Sequence, residues 1–462
     1  MTIWPPKPDE LRRPVYRSLS EVIIRAIGSG ELRDGDRLPT HRDLAYDLGL
    51  SVQTVSRSYD ELIRRGFVLG EVGRGTFVRA PGRDTQTPFL PDSQHGTIID
   101  CSMLKPVVEA LHLDAMRDGL TRLGKELPAS AVSSFRPSGA NRKYGETSRK
   151  WLARCGLEIS TQGLILTNGN TSAMTIALMT AARPSDLVAT EEMGHHALKP
   201  LCRYLGLRLA GLEVDAEGIV PRSFARLCEN SKVSALYMMP SGLNPKATTM
   251  SLERRTDLVD LARKYDVSII ENDAWGPLQK NRPLPVATLA PERTFYFTSL
   301  TKCIMPGLRV GYLVVPETCE SAAANRHLVT NWMATSIMIE IANRWIEDGT
   351  AEDLLQWQMN ALGERNRMAA EILSGVSFSA SENGMHIWLP TPGTWSEDGF
   401  VAHARLNGVA IGPGSTFNTS DKVNSSGVRV CLGAENIESL TQGLMVVSRL
   451  ARSNPEPALL PL

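Results

Sequence analysis

The chain has 462 residues, 42% of them hydrophobic and 22% charged, a balance that excludes a wholly disordered or collagen-like protein. At roughly 100–200 residues per domain, that length predicts two to four domains. Fifty basic residues cancel fifty acidic ones, so bulk charge points to no partner, and any nucleic-acid surface must be a local patch.

Residues 1–8 hold no apolar run of the kind that opens a secretory signal. No uncharged apolar run reaches the roughly 18 residues a membrane-spanning helix needs, so no membrane partner is expected. The seven cysteines (Cys101, Cys155, Cys202, Cys228, Cys303, Cys319 and Cys431) are dispersed without CxxC or zinc spacing. That pattern predicts reduced thiols, no metal site and a cytoplasmic protein.

In chain order, Tyr16, Leu19, Val22, Ile23, Ala26 and Ile27 recur at helical spacing, and Gly28 and Gly30 end that helix. Thr40 caps a second helix, with Asp43 three residues on to complement its exposed N–H groups. Leu44, Ala45 and Leu48 form its apolar face and Gly49 stops it. Ser51 caps a third helix, whose buried stripe is predicted as Val52, Val55, Tyr59, Leu62 and Ile63. Helices joined at Gly49-Leu50 make a helix-turn-helix. Phe67-Val68-Leu69 and Thr76-Phe77-Val78 then read as short strands around Gly73-Arg74-Gly75, a glycine-tipped wing.

In a major groove the early exposed residues of the third helix are the readers. Gln53 can pair with an adenine edge, and Thr54, Ser56 and Arg57 can reach bases or phosphates. Arg74 at the wing tip is offered to a minor groove. The unit resembles the GntR family of bacterial regulators through Arg37-Leu38-Pro39-Thr40-His41-Arg42-Asp43-Leu44-Ala45, Leu48-Gly49-Leu50-Ser51, Thr54-Val55, Gly66-Phe67-Val68 and Gly73-Arg74-Gly75-Thr76-Phe77-Val78. The resemblance implies that Arg42, Ser51, Gln53, Thr54, Arg57 and Gly75 lie at the DNA. Val52 stands where such proteins often carry arginine, which puts the usual base contact from that position in question.

Between residues 80 and 97 the apolar periodicity stops, and Pro81, Gly82, Pro88, Pro91 and Gly96 alternate with polar residues, the composition of a linker. It separates a DNA-binding domain at 1–79 from an α/β domain at 98–462, with a small C-terminal subdomain at about 376–462. Apolar segments at 164–166, 187–189, 235–239, 267–270, 295–297 and 310–315, most of them separated by helical stretches, predict a mainly parallel buried sheet. Chemistry in such sheets gathers where strands end.

Three strand ends carry polar residues. Leu166-Thr167 runs into Asn168-Gly169-Asn170-Thr171-Ser172 and a helix, a turn whose free N–H groups suit a phosphate. The segment 267–270 ends at Glu271-Asn272-Asp273-Ala274-Trp275, and 295–297 ends at Thr298-Ser299-Leu300-Thr301-Lys302, followed by Pro306-Gly307-Leu308-Arg309. Lys302, among hydroxyls and with Arg309 close by, fits a lysine whose depressed pKa frees its amine to form a Schiff base.

Ser299-Leu300-Thr301-Lys302 followed by Pro306-Gly307-Leu308-Arg309 resembles the pyridoxal 5'-phosphate (PLP) lysine motif of fold-type I aminotransferases. The resemblance implies PLP as cofactor, with Gly169, Asn170, Thr171, Ser299 and Arg309 at its phosphate and Asn244, in Pro240-Ser241-Gly242-Leu243-Asn244-Pro245, at its ring oxygen. It further implies His195 as the stacking ring and Arg429, in Val428-Arg429-Val430, as a clamp for a substrate carboxylate. Two registers are open at the ring nitrogen: Asn272, which would make the ring a poorer electron sink, or Asp273, which would keep the usual chemistry.

The expected fold class is therefore α/β: an N-terminal winged helix-turn-helix plus PLP-dependent fold-type I aminotransferase-like large and small domains. That architecture resembles the MocR subfamily of GntR-type regulators, with taurine- or ectoine-utilisation regulators as the suggested subgroup. The resemblance implies a PLP-dependent transcriptional regulator that binds double-stranded promoter DNA as a head-to-tail homodimer. It senses a small amino-acid-like effector when an incoming amine displaces Lys302 to form an external aldimine. The alternative is a catalytically active PLP aminotransferase carrying an accessory DNA-binding domain.

Overall fold

The computed structural model describes residues 4–6, 11–29, 31–33, 35–64, 67–71, 75–78, 98–133, 137–420 and 426–455. The chain divides into two compact units, Met1–Pro91 and Asp92–Leu462. The expected linker at 80–97 falls wholly outside the described residues, as do Gly66, Gly73 and Arg74.

In the first unit, helices Val15–Gly28, His41–Asp47 and Val52–Arg64 precede a hairpin of Val68–Glu71 and Gly75–Val78. The helix starts are side-chain caps: Thr40 Oγ1 accepts from Asp43 N at 3.2 Å, and Ser51 Oγ accepts from Thr54 N at 3.1 Å. Gly49, at φ +63°, makes the turn between the second and third helices. Leu19, Ile23, Leu44, Leu48, Val55, Tyr59, Leu62, Val68 and Val78 form the core.

The predicted stripe on the third helix needs one correction. Val52 and Ile63 are 47% and 43% exposed. The reason lies at Ser58, fully buried with its Oγ 3.0 Å from Ser20 Oγ. Two serines let the first and third helices approach closely, which rotates the buried face toward residue 58. At 100° per residue, positions 52 and 63 then fall on its far flank.

In the second unit, seven strands form one sheet in the order Gly163–Thr167, Gly311–Val315, Thr294–Ser299, Ser268–Asn272, Val233–Met238, Leu187–Glu191 and Arg208–Leu212. All neighbours are parallel except Gly311–Val315, which runs antiparallel to both of its partners. Its interior strands are buried along nearly their whole length, as parallel sheets require. Ser299 pairs with Gly311, and Gly311 with Thr167, so two polar strand ends flank Gly311 along one rim. Asn272 and Ser299 lie inside strands that run one or two residues further than the apolar runs predicted.

A second sheet orders Ser379–Ala380, His386–Pro390, Gly427–Cys431, Val409–Pro413 and Ile99–Cys101. Its last strand comes from the start of the unit and joins in parallel, Ile99 opposite Val409. The small sheet therefore recruits residues well outside 376–462. No helix among the described residues is long and apolar enough to cross a membrane.

Candidate functional site

The strand Gly163–Thr167 and the helix Asn170–Ala181 meet at Gly169, whose φ of +78° an L side chain rarely adopts. A Cβ there would lie 2.9 Å from Arg309 Nη2, and that nitrogen donates to Asn168 O at 3.1 Å. Arg309 itself is left-handed, at φ +50°. A Cβ at Gly311 would come within 2.6 Å of Thr167 Oγ1 and 2.9 Å of Gly169 Cα, so only glycine permits this approach. A guanidinium thus stands against a helix N-terminus with free N–H groups, a cradle for a phosphate dianion. Asn168 is pinned from outside the cradle: its Nδ2 donates to Met333 O at 3.3 Å and its Oδ1 accepts from Thr335 N at 3.1 Å. Thr171 is exposed one residue into the helix.

Ser299 ends its strand and begins the turn Leu300–Cys303 that carries Lys302. Lys302 Nζ donates to Leu104 O. Burial lowers its pKa to about 8, with the charges of Arg429 and Arg309 acting in the same sense and Cys431 against it. Arg429, buried on the strand Gly427–Cys431, donates from Nη1 to Asn244 Oδ1 at 3.0 Å and from Nη2 to Ser102 O at 2.7 Å. Its guanidinium lies 4.7 Å from the Phe417 ring centre. His195 is held well below its ordinary pKa by burial and by the charges of His196, Lys302 and Arg429, and its ring stacks on His196 at 4.8 Å.

The two residues offered for the ring nitrogen part company. Both oxygens of Asp273 are spent, Oδ1 on Arg282 Nη1 and Oδ2 on Tyr296 Oη, each at 2.6 Å. Asn272 is buried; its Nδ2 donates to Tyr237 Oη at 2.7 Å and its Oδ1 is unpaired. Trp275 donates to Gly242 O at 3.0 Å.

Among the described residues, buried polar atoms left without a protein partner include Asn170 Oδ1, Ser172 Oγ, Asn272 Oδ1, Ser299 Oγ, Thr301 Oγ1 and Arg429 Nε. Buried polar groups seldom go unpaired. Five of these six lie on the segments around Gly169, Lys302 and Arg429, beside a cradle that a Cβ would fill, and they fit a phosphate-bearing heterocycle with an amine-reactive carbon. Ser102, Leu104 and Tyr237 were not foreseen. Two of them act through backbone carbonyls, which no side-chain pattern signals, and Tyr237 sits within an ordinary apolar strand.

In the first unit, Arg42, Gln53 and Arg57 are exposed. The Ser51 and Thr54 hydroxyls lie 2.8 Å apart within the helix cap. Arg57 stands 5.9 Å from the Tyr16 ring centre, beside a groove of about 510 Å³ lined also by Arg13, Pro14, Val15 and Thr54. A Cβ at Gly75 would come within 2.8 Å of Arg37 Nε, so close packing on Arg37 already requires that glycine.

A winged helix-turn-helix and a doubly layered α/β unit with a lysine at a strand end define the class, a DNA-binding module fused to a fold-type I aminotransferase-like domain. The chain belongs to the family described as Aminotransferase class I and II, matched over residues 125–444, and residues 15–78 match the bacterial regulatory proteins of the gntR family. It is thus a GntR-type transcriptional regulator of MocR organisation. It is 26% identical to the uncharacterized HTH-type transcriptional regulator YdeF of Bacillus subtilis, over 97% of this chain and 96% of that protein. It is 24% identical to the HTH-type transcriptional regulator TauR of Rhodobacter capsulatus, over 94% and 96% respectively. The kynurenine aminotransferase of Pyrococcus horikoshii shares the fold, with a TM-score of 0.70 and 21% identity over 77% of this chain and 91% of that one.

Proposed function

We propose that this regulator binds promoter DNA through its winged helix and senses an amino-acid-like effector at Lys302 and Arg429, with PLP as the resident cofactor. Gly169, Asn170, Thr171, Ser299 and Arg309 would hold the phosphate, Asn244 the ring oxygen, His195 the ring face and Asn272 the ring nitrogen. When bound, PLP supplies an aldehyde carbon that condenses reversibly with primary amines. The chain's own residues do the rest. Burial keeps part of Lys302 neutral and nucleophilic, and Arg429 offers Nε and Nη2 as a fork for a carboxylate.

One observation carries the reading. Lys302 and Arg429 donate to the carbonyls of Leu104 and Ser102, two residues apart on one segment. Two residues span at most about 7 Å, so the amine and the guanidinium are tied to one short stretch of backbone. An effector carboxylate on Arg429 competes for the Ser102 carbonyl, while displacement of Lys302 by the effector amine changes its hold on the Leu104 carbonyl. The segment 102–104 follows the proposed linker at 80–97. Altered hold on that segment is the route by which occupancy reaches the DNA-binding domain, proposed to span 1–79. A few kcal/mol of differential affinity is enough to shift such an equilibrium.

A head-to-tail homodimer, matching a repeated or palindromic operator, is the assembly we propose. Leu113 and Leu120, about half exposed on the helix Ala110–Lys125, support a second copy packing there. A cytoplasmic location follows from the DNA-binding role. The test is a titration of a DNA site selected with the full-length protein, using wild type and Lys302→Ala, with and without PLP and a panel of amino compounds. The expected result is a change in DNA affinity only in wild type with PLP and one amino compound together. An equal response from Lys302→Ala overturns the proposal.

A further inference from the structure

Asn272 ends the strand Ser268–Asn272, and Tyr237 lies on the neighbouring strand Val233–Met238. Both are buried, and the 2.7 Å contact between the Asn272 amide and Tyr237 Oη is the only hydrogen bond of that hydroxyl among the described residues. The structure has Asn272 Nδ2 donating to Tyr237 Oη and leaves Oδ1 unpaired. Turning the amide over exchanges the two atoms in place, so the count of satisfied donors and acceptors decides between the orientations. If the amide nitrogen donates to Tyr237, the phenolic proton has no acceptor and the amide oxygen has no donor. If Tyr237 donates to the amide oxygen, only the amide NH2 is left over. A buried polar group without a partner is costly, so the second arrangement is the better one.

The charges around the pair support the same orientation. The adjacent carboxylate, Asp273, is committed to Arg282 and Tyr296. Glu191 accepts from Met239 N and Thr190 Oγ1, each at 2.8 Å. Asp273 is thus balanced by the Arg282 guanidinium, and burial raises the pKa of Glu191, which weakens it as a partner for a positive ring nitrogen.

We infer that Tyr237 is a positioning residue, which donates to the Asn272 carbonyl and so aims the Asn272 NH2 at the cofactor's ring nitrogen, holding that nitrogen unprotonated. An amide N–H binds a lone pair, and a protonated nitrogen has none. A neutral ring withdraws electrons poorly, so the site exchanges amines yet resists converting them. For a sensor this is useful, because the signal molecule survives its own detection. The inference rests on the proposed cofactor reading.

The test reconstitutes the full-length protein with pyridoxal phosphate labelled with 15N in the ring and records the 15N chemical shift. Wild type is expected to show the shift of an unprotonated pyridine across neutral pH, and Asn272→Asp the shift of a pyridinium. Tyr237→Phe, which frees the amide to turn over, is expected to weaken cofactor binding about tenfold and make the ring-nitrogen shift depend on pH. A pyridinium shift in wild type with cofactor bound overturns the inference but leaves the cofactor reading standing. Failure to take up cofactor overturns both. A Tyr237→Phe protein that melts lower yet keeps wild-type shift and affinity shows a merely structural tyrosine. If Tyr237→Phe does not fold, the wild type and Asn272→Asp shifts still decide.

Discussion

Arg429 Nη2 donates to the carbonyl of Ser102 at 2.7 Å, and Cys431 Sγ, two residues along the same strand, reaches that oxygen at 3.4 Å. The strand Gly427–Cys431 therefore grips the backbone just after Ile99–Cys101. A carboxylate taking the Nε–Nη2 edge of Arg429 would contend with Ser102 for the same guanidinium.

Arg429→Lys keeps the charge but loses the planar fork. We expect about a 50-fold rise in the effector concentration needed for half-maximal response, the equivalent of roughly 2–3 kcal/mol for a charge-assisted pair. Cofactor absorbance should be retained. DNA-binding titrations with the effector found in the amino-compound panel check this, and an unchanged midpoint contradicts the assignment.

The pKa of about 8 at Lys302, against an ordinary 10.5, leaves about one amine in ten neutral at pH 7 instead of fewer than one in a thousand. The rate of cofactor uptake, followed by absorbance, should climb with pH and level off near 8; a profile that keeps rising to 10 contradicts it. The stability sign follows from the same shift. Below pH 8 both folded and unfolded chains carry the proton, and the cost of burying the charge stands in full. From 8 toward 10.5 the unfolded chain binds more protons, so stability rises with pH.

Gly169→Ala combines a strained φ of +78° with a Cβ 2.9 Å from Arg309 Nη2. With ψ at −178°, a region that glycine alone readily occupies, the backbone term is about 1–3 kcal/mol. Arg309 is exposed on its outer side and can move, so the protein should fold with a lowered melting temperature. Cofactor affinity, measured by absorbance titration, should fall about tenfold or more, because the shifted guanidinium leaves the cradle. Wild-type affinity would show that the turn does not hold the phosphate.

At the DNA, Gln53→Ala and Arg57→Ala should separate. Loss of a base-reading amide costs about 1–3 kcal/mol and relaxes sequence preference at one position. Loss of a phosphate contact weakens all sequences alike and reduces the salt slope by about 1. Binding measured on variant sites at several salt concentrations distinguishes the two; equal behaviour removes Gln53 from the readers.

The helices of the first unit were legible because Thr40, Gly49 and Ser51 punctuate them by local chemistry. Val52 and Ile63 were misplaced because the rotation of the third helix is set by Ser20 against Ser58, a contact across 38 residues. Glycine and proline around a strand-end lysine marked the stretch from Ser299 to Arg309, and the structure brings it beside Gly169. The choice between Asn272 and Asp273 was not legible, because adjacent residues at a strand end point apart and the partners that claim Asp273 lie 9 and 23 residues away. The strand Arg208–Leu212, half exposed at the sheet edge and interrupted by Gly211, lacks the apolar run that revealed its neighbours. Ile99–Cys101 is too short for any periodicity, and its partner strand is some 310 residues downstream.

That short strand decides where force enters. It is the outermost member of the small sheet, bonded along one side only to Val409–Pro413. On the function proposed above, a shift of this small sheet on ligand binding would move the point at which the upstream chain joins the second unit.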